Sequence, residues 1–182
     1  TLLNGSQKQV PMMSQHGRFM YYQGQGFQAV SLPYVGHRLS MYIFLPDKNS
    51  SLDEFQKQLN TENWNAWMSH FHEMKGYIAL PRFTVAYEVE LNRALTALGM
   101  GIAFGPGANF DGISPGLYIS KVKHKTFAEV NEEGTEAAAA TVVLMTRMSI
   151  PFSFVVDRPF FCAIRDNETG MLLFMGFIVD PE

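Results

Sequence analysis

An α+β fold built mainly on antiparallel sheet is what this sequence predicts, and three observations carry the prediction. Three β-prone runs joined by short turns open the chain as a meander. Helical spacing is confined to three short segments in its middle. A pair of apolar runs joined by Asp166-Asn167-Glu168-Thr169-Gly170 closes it as a hairpin.

The elements follow in order. Val10-Pro11-Met12-Met13 is a short apolar run, and a strand from Arg18 to Tyr22 ends at the Gly-rich turn Gln23-Gly24-Gln25-Gly26. Phe27 to Leu32 follows, then the turn Val35-Gly36-His37-Arg38. Leu39 to Leu45 is nearly continuous in apolar residues and stops at Pro46-Asp47, the pattern of a strand buried on both faces. Ser50-Ser51-Leu52-Asp53-Glu54 is a helix start, with a serine cap before acidic residues that complement the helix dipole. Asn60-Thr61-Glu62 starts a second short helix, whose Trp64 and Trp67 read as core packing against the sheet.

The β pattern resumes at Lys75. Tyr77 to Leu80 reaches Pro81, and Phe83, Val85, Tyr87 and Val89 alternate with polar neighbours. Leu91, Leu95 and Leu98 share a face of a helix from Leu91 to Met100, with Gly99 as its stop. Gly105 to Gly116 is loop, and the alternation from Tyr118 to Val130 predicts one long strand. Phe152 to Val156, Phe160 to Arg165 and Leu172 to Val179 are the last strands.

The 182 residues fit one ordinary domain, and 47% apolar against 17% charged residues means that the chain folds. A net charge of −3 excludes a nucleic-acid surface as the default reading, because such binding rests on clustered basic residues. No apolar run is long enough to span a bilayer. The single cysteine, Cys162, excludes an internal disulfide framework and a cysteine-based zinc site.

Several motifs suggest chemistry and fail on context. Gly112-Ile113-Ser114-Pro115-Gly116 matches G-x-S-x-G, but a nucleophile elbow needs a strand before the serine and a helix after it. Here a loop precedes Ser114 and a strand follows. His70-Phe71-His72-Glu73 lacks metal-ligand spacing and reads as a solvated helix end. Gly99, Gly101 and Gly105 do not space as a dinucleotide loop. No metal or cofactor is implied. Asn4, Asn49 and Asn167 each begin an N-x-S/T sequon, a signal of surface loops and of secretion.

One stretch stands apart: Glu132, Glu133, Gly134, Thr135, Glu136, Ala137, Ala138, Ala139, Ala140 and Thr141. Alanine favours a short helix, but Gly134 opens the run and β-branched Thr141, Val142 and Val143 close it. As a strand, it puts the small uncharged Thr135, Ala137, Ala139 and Thr141 on one face and Glu136 on the other. Such a segment suits both an exposed loop and the interior of a sheet, because insertion buries no charge.

With that stretch in place the chain resembles the C-terminal half of a serpin, end to end. The run just quoted is similar to the inhibitory hinge of the family. Phe154-Val155-Val156-Asp157-Arg158-Pro159-Phe160-Phe161 is similar to its signature, and Leu173-Phe174-Met175-Gly176 with Asp180-Pro181 to its closing strand. Val10-Pro11-Met12-Met13, Phe44-Leu45-Pro46, Ala103-Phe104 and the stretch from Ala108 to Ser114 fit as well.

The resemblance implies a multi-sheet, mostly antiparallel serpin fold with an exposed reactive-centre loop from Glu132 to about Pro151. It implies a serine protease inhibitor rather than an enzyme. The bait bond falls seventeen residues along from Glu132, at Met148-Ser149, and Met148-Ser149-Ile150-Pro151 is similar to the bait of antitrypsin. Arg147 is the alternative bait. An unbranched apolar bait suits elastase-, chymotrypsin- or subtilisin-like proteases, whereas Arg147 suits a trypsin-like one. Arg82 matches a basic position that pairs with Glu132 in the breach of the sheet, and His124 matches a histidine in its shutter. A serpin domain is about twice this length, so the resemblance also implies an N-terminal half as partner, with Thr1 an internal point. Secretion is the favoured localisation. The alternative within the family is a non-inhibitory carrier or chaperone. Such members typically carry bulky or charged residues on the inserting face of the hinge, and this hinge has none.

Overall fold

The computed structural model of the chain describes residues 1–3, 5–131 and 151–181, and it divides into two compact units. The first, residues 1–83 with the chain from Val130 onward, holds a seven-stranded sheet. Its strands are β1 (Met12–Gly24), β2 (Phe27–Pro33), β3 (Leu39–Pro46), β4 (His72–Pro81), β7 (Phe152–Val155), β8 (Phe160–Asp166) and β9 (Leu172–Ile178). They lie in the order β7-β4-β1-β2-β3-β8-β9. The meander β1-β2-β3 and the hairpin β8-β9 are antiparallel, whereas β7 joins β4 in parallel, Gly76 opposite Phe152.

The helices α1 (Leu52–Gln58) and α2 (Thr61–His70) form where the caps place them. The Ser51 hydroxyl accepts from the Glu54 N–H at 3.2 Å while the Glu54 carboxylate accepts from the Ser51 N–H at 3.2 Å, a reciprocal capping box. Asn60 caps α2 by accepting from the Asn63 N–H at 2.9 Å. Both helices bury their aromatic stripe with Phe27, Ala29, Phe44, Phe161 and Ala163 of the sheet. Trp64 and Trp67 are in that core, as expected. Phe44 is its hub, with ring centroids 5.4–5.6 Å from Phe27, Phe55, Trp64 and Trp67. Val30, Ile43 and Leu45 are buried too, so β3 is covered on both faces.

Two expectations for this unit need correction. The first strand begins at Met12, not Arg18, because the polar stretch Ser14–Gly17 is held in the ladder by β4, from Met12 opposite Pro81 to Tyr21 opposite His72. For the same reason His72 and Glu73 belong to β4 and only His70 to a helix end, where its Nδ1 lies 2.5 Å from the Ala66 carbonyl oxygen.

The second unit, Thr84–Glu129, carries a two-stranded sheet of β5 (Phe83–Glu90) and β6 (Lys123–Val130). Between the strands lie a single α-turn α3 (Asn92–Leu95), a π-turn Thr96–Met100 and a 3₁₀ turn Gly101–Phe104. The expected ten-residue helix is therefore interrupted. Gly99 adopts φ +98°, which an α-helix cannot continue, and Leu98 is left 80% exposed.

The long strand expected from Tyr118 is also shorter and starts at Lys123. Residues Ile119–Val122 instead take their backbone bonds from the chain around α3. Asn92 donates its Nδ2 to the Ser120 carbonyl at 2.9 Å and accepts from the Val122 N–H at 2.8 Å. The Val122 carbonyl accepts from the Leu91 N–H, and Ala103 accepts from the Ile119 N–H, each at 2.9 Å. Alternation alone does not reveal that a side chain has replaced a neighbouring strand.

Candidate functional site

The chemistry-bearing stretch of the sequence joins the end of β6 to the start of β7. Glu132, Glu133, Gly134, Thr135, Glu136, Ala137, Ala138, Ala139, Ala140, Thr141, Arg147, Met148 and Ser149 all lie outside the described residues. The two strands that hold its ends are described, and they differ in how firmly they are held.

On the upstream side, β6 presents Lys123, Lys125 and Phe127 to one face and His124, Thr126 and Ala128 to the other. The lysine face carries a cross-strand ion-pair row. Lys123 and Lys125 both reach Glu88 of β5, at 2.5 and 2.8 Å, and Lys121 reaches Glu90 at 3.2 Å. The lysine bonds hold the Glu88 carboxyl below its ordinary range. All these groups are exposed, so the row aligns β5 with β6 and adds little stability. On the opposite face the exposed His124 ring places Nε2 2.9 Å from the Thr126 hydroxyl, two residues along the same strand.

On the downstream side, β7 is an edge strand of four residues, too short to be held by its ladder alone. Phe152 is its anchor. Its ring stacks on Tyr21 at 4.2 Å between centroids, and it lies so close over Gly76 that a Cβ there would fall 2.3 Å from the ring. Burial raises the pKa of the Tyr21 phenol, with the Asp47 carboxylate adding to it, so this face stays uncharged at neutral pH. The sequence holds a signal for this anchor that goes unread without the fold: a glycine inside an otherwise apolar strand, which marks close approach of another group.

Arg82 sits directly after β4 and is exposed, and its backbone N–H donates to the Pro11 carbonyl at 3.0 Å. Glu132, with which it is expected to pair, is outside the described residues. Ser114 lies among exposed turns, with its N–H donating to the Phe110 carbonyl at 3.1 Å and neither strand nor helix flanking it, so the elbow geometry is absent. Among the described residues no group of histidine, cysteine and carboxylate side chains could hold a metal ion. Among the same described residues no helix is long and apolar enough to cross a membrane. Cys162 is partly buried, and that burial pushes its thiol up to about 11, which keeps it un-ionised at neutral pH.

Comparison with known proteins places this arrangement. A family profile described as "Serpin (serine protease inhibitor)" matches residues 1–181. Human neuroserpin is 36% identical over 189 residues, covering 97% of this chain and 46% of that protein. Plasminogen activator inhibitor 1 of Sus scrofa is 35% identical over 187 residues, covering 98% of this chain and 46% of that protein. Among solved structures, the crystal structure of native protease nexin-1 with heparin superposes with a TM-score of 0.86 at 33% identity, over 99% of this chain and 50% of that one. The chain spans about half the length of the curated relatives it matches.

Proposed function

The chain belongs to the serpin family, and we propose that it is the C-terminal half of a suicide-substrate inhibitor of serine proteases. The observation that carries this reading is the sequence at the end of β6. There the chain runs from Val130 into Thr135, Ala137, Ala139 and Thr141, small uncharged residues spaced to fill one face of an added strand.

The protease serine attacks the Met148 carbonyl, the bond to Ser149 breaks, and the Ser149 amine leaves while an acyl-enzyme remains on Met148. The freed hinge then inserts beside β6 and carries the tethered protease with it before water completes the hydrolysis. The free energy for this comes from strain held by the uncut loop. Ala139 and Thr141 add no charge to the interior as they enter. Arg82 pairs with Glu132 to hold the hinge until cleavage, and His124 guards the strands that must part. The anchor of Phe152 on Tyr21 and Gly76 keeps the downstream fragment attached to its own sheet.

The bait selects elastase-, chymotrypsin- or subtilisin-like enzymes, with Arg147 the bait if the loop is shifted by one residue. The remaining half of the fold is the other partner, and the sequons favour a secreted protein. Incubating the full-length protein with serine proteases tests the reading. An SDS-stable covalent complex is expected, whereas clean cleavage without complex would assign the chain to the non-inhibitory carriers and chaperones.

A further inference from the structure

The two sequons among the described residues have opposite surroundings, and we propose that Asn49 is an N-glycan acceptor whereas Asn167 is a structural latch that carries no glycan. Read as sequence, Asn49-Ser50-Ser51 and Asn167-Glu168-Thr169 are equivalent acceptors. Both asparagines are exposed and both lie in turns. What separates them is the use each makes of its carboxamide nitrogen, the atom that glycosylation consumes.

Asn49 holds the third position of the turn Asp47–Ser50, which is closed by the Ser50 N–H donating to the Asp47 carbonyl at 2.9 Å. Its own carboxamide makes no hydrogen bond to another described residue, and its neighbours are already occupied. The Ser50 hydroxyl donates to the Glu54 carboxylate at 3.0 Å, and the Ser51 hydroxyl caps α1. A sugar on Asn49 therefore displaces nothing and extends into solvent from the β3–α1 connection.

Asn167 is spent on the fold. Its Nδ2 donates to the His37 carbonyl at 2.9 Å and to the Ser40 hydroxyl at 2.8 Å, which uses both of its hydrogens. Its Oδ1 accepts from the Tyr42 hydroxyl at 3.4 Å, and its backbone N–H donates to the Arg38 carbonyl at 2.7 Å. Beside it, buried Asp166 accepts two bonds from Arg38, at 3.0 and 3.1 Å. Together these residues tie the β8–β9 turn to the β2–β3 turn. A sugar on Nδ2 would remove one donor and force the two turns apart.

The transfer itself uses a lipid-pyrophosphate-linked oligosaccharide as donor. The bond from its anomeric carbon to the pyrophosphate breaks, and the electron pair leaves with the lipid pyrophosphate. A new bond forms from that carbon to Nδ2, and one carboxamide proton passes to a base. The inference is independent of protease inhibition.

The test is site mapping on the full-length protein secreted from a eukaryotic host. Glycans are removed by an amidase in water labelled with heavy oxygen, which converts each occupied asparagine to a mass-tagged aspartate. The peptide containing Asn49 is expected to carry the tag and the peptide containing Asn167 to lack it. An untagged Asn49, or a tagged Asn167, overturns the proposal. Asn49→Gln should remove one glycan's mobility shift and leave the melting temperature unchanged. Asn167→Gln should leave the shift and lower the melting temperature. An unchanged shift in Asn49→Gln, or an unchanged melting temperature in Asn167→Gln, also overturns it.

Discussion

The seven-stranded unit and the two-stranded unit are built from similar β-prone sequence, yet only one of them has an interior. In the first, Phe27, Phe44, Phe55, Phe161 and both tryptophans exclude water from a continuous aromatic core. In the second, no residue from Thr84 to Glu129 is buried, and order comes from Asn92, from backbone turns and from exposed ion pairs. A two-stranded ribbon is marginal by itself in water. Within this chain by itself, which spans about half the length of the relatives it matches, the difference shows which part is ordered by packing and which by hydrogen bonds and ion pairs. The strand that runs into the hinge belongs to the weakly held unit, and the strand that receives the chain afterwards belongs to the firmly held one.

That contrast can be broken by substitution, the largest effect coming from the core. Phe44→Ala removes the hub of the aromatic cluster and should cost about 3–5 kcal/mol in denaturant unfolding of the full-length protein, as large-to-small core changes do. A loss near that of a surface substitution would mean that the cluster is loosely packed. Next is Gly76→Ala. Its new Cβ meets the Phe152 ring, which Tyr21 prevents from swinging aside, so about 1–3 kcal/mol of overpacking strain is expected together with faster proteolysis of β7. Unchanged proteolysis would remove Phe152 from its role as anchor.

In the second unit, Asn92→Ala deletes two bonds to the Ser120–Val122 segment, and a loss of about 1–2 kcal/mol is expected. Hydrogen exchange should rise across residues 119–122 and not in β3. Uniform exchange across both units would dissolve the distinction between them.

The smallest effect concerns acid. Burial in its turn raises the Asp166 pKa, but the Arg38 guanidinium and the N–H groups of Glu168 and Thr169 outweigh this and hold the carboxyl below its usual range. A carboxylate depressed in the folded state contributes stability above its unfolded pKa of about 4 and loses it as pH falls through the folded value. The stability gap between the protein and its Asp166→Asn variant should therefore be full at pH 7 and narrow below about pH 4. A gap that widens with acid would reverse the assignment.

Much of the firm unit is legible in sequence because its signals are local. Ser51 and Glu54 announce their capping box by spacing, and the apolar run Leu39–Leu45 announces a strand covered twice. The errors cluster where a distant group intervenes. Asn92 ends the β6 strand at Lys123 from thirty residues away, Gly99 turns a helical pattern into a π-turn, and β4 recruits His72 and Glu73 away from a helix end. The parallel pairing of β4 with β7 joins segments more than seventy residues apart, and the sequence that marks a strand from Phe152 to Val156 does not say which strand it joins. The proposed hinge is a different case. Its small residues at alternate positions are what an added strand would need, and its residues 132–141 lie outside the described residues.

The central claim is that cleavage at one bond leaves a protease trapped on this chain. Mass spectrometry of the full-length protein after reaction with an elastase-type protease tests it most directly. The account predicts a covalent complex stable in SDS, accompanied by a released C-terminal peptide that begins at Ser149. A peptide beginning elsewhere would contradict the bait assignment, and the same peptide released without any complex would contradict the trap itself.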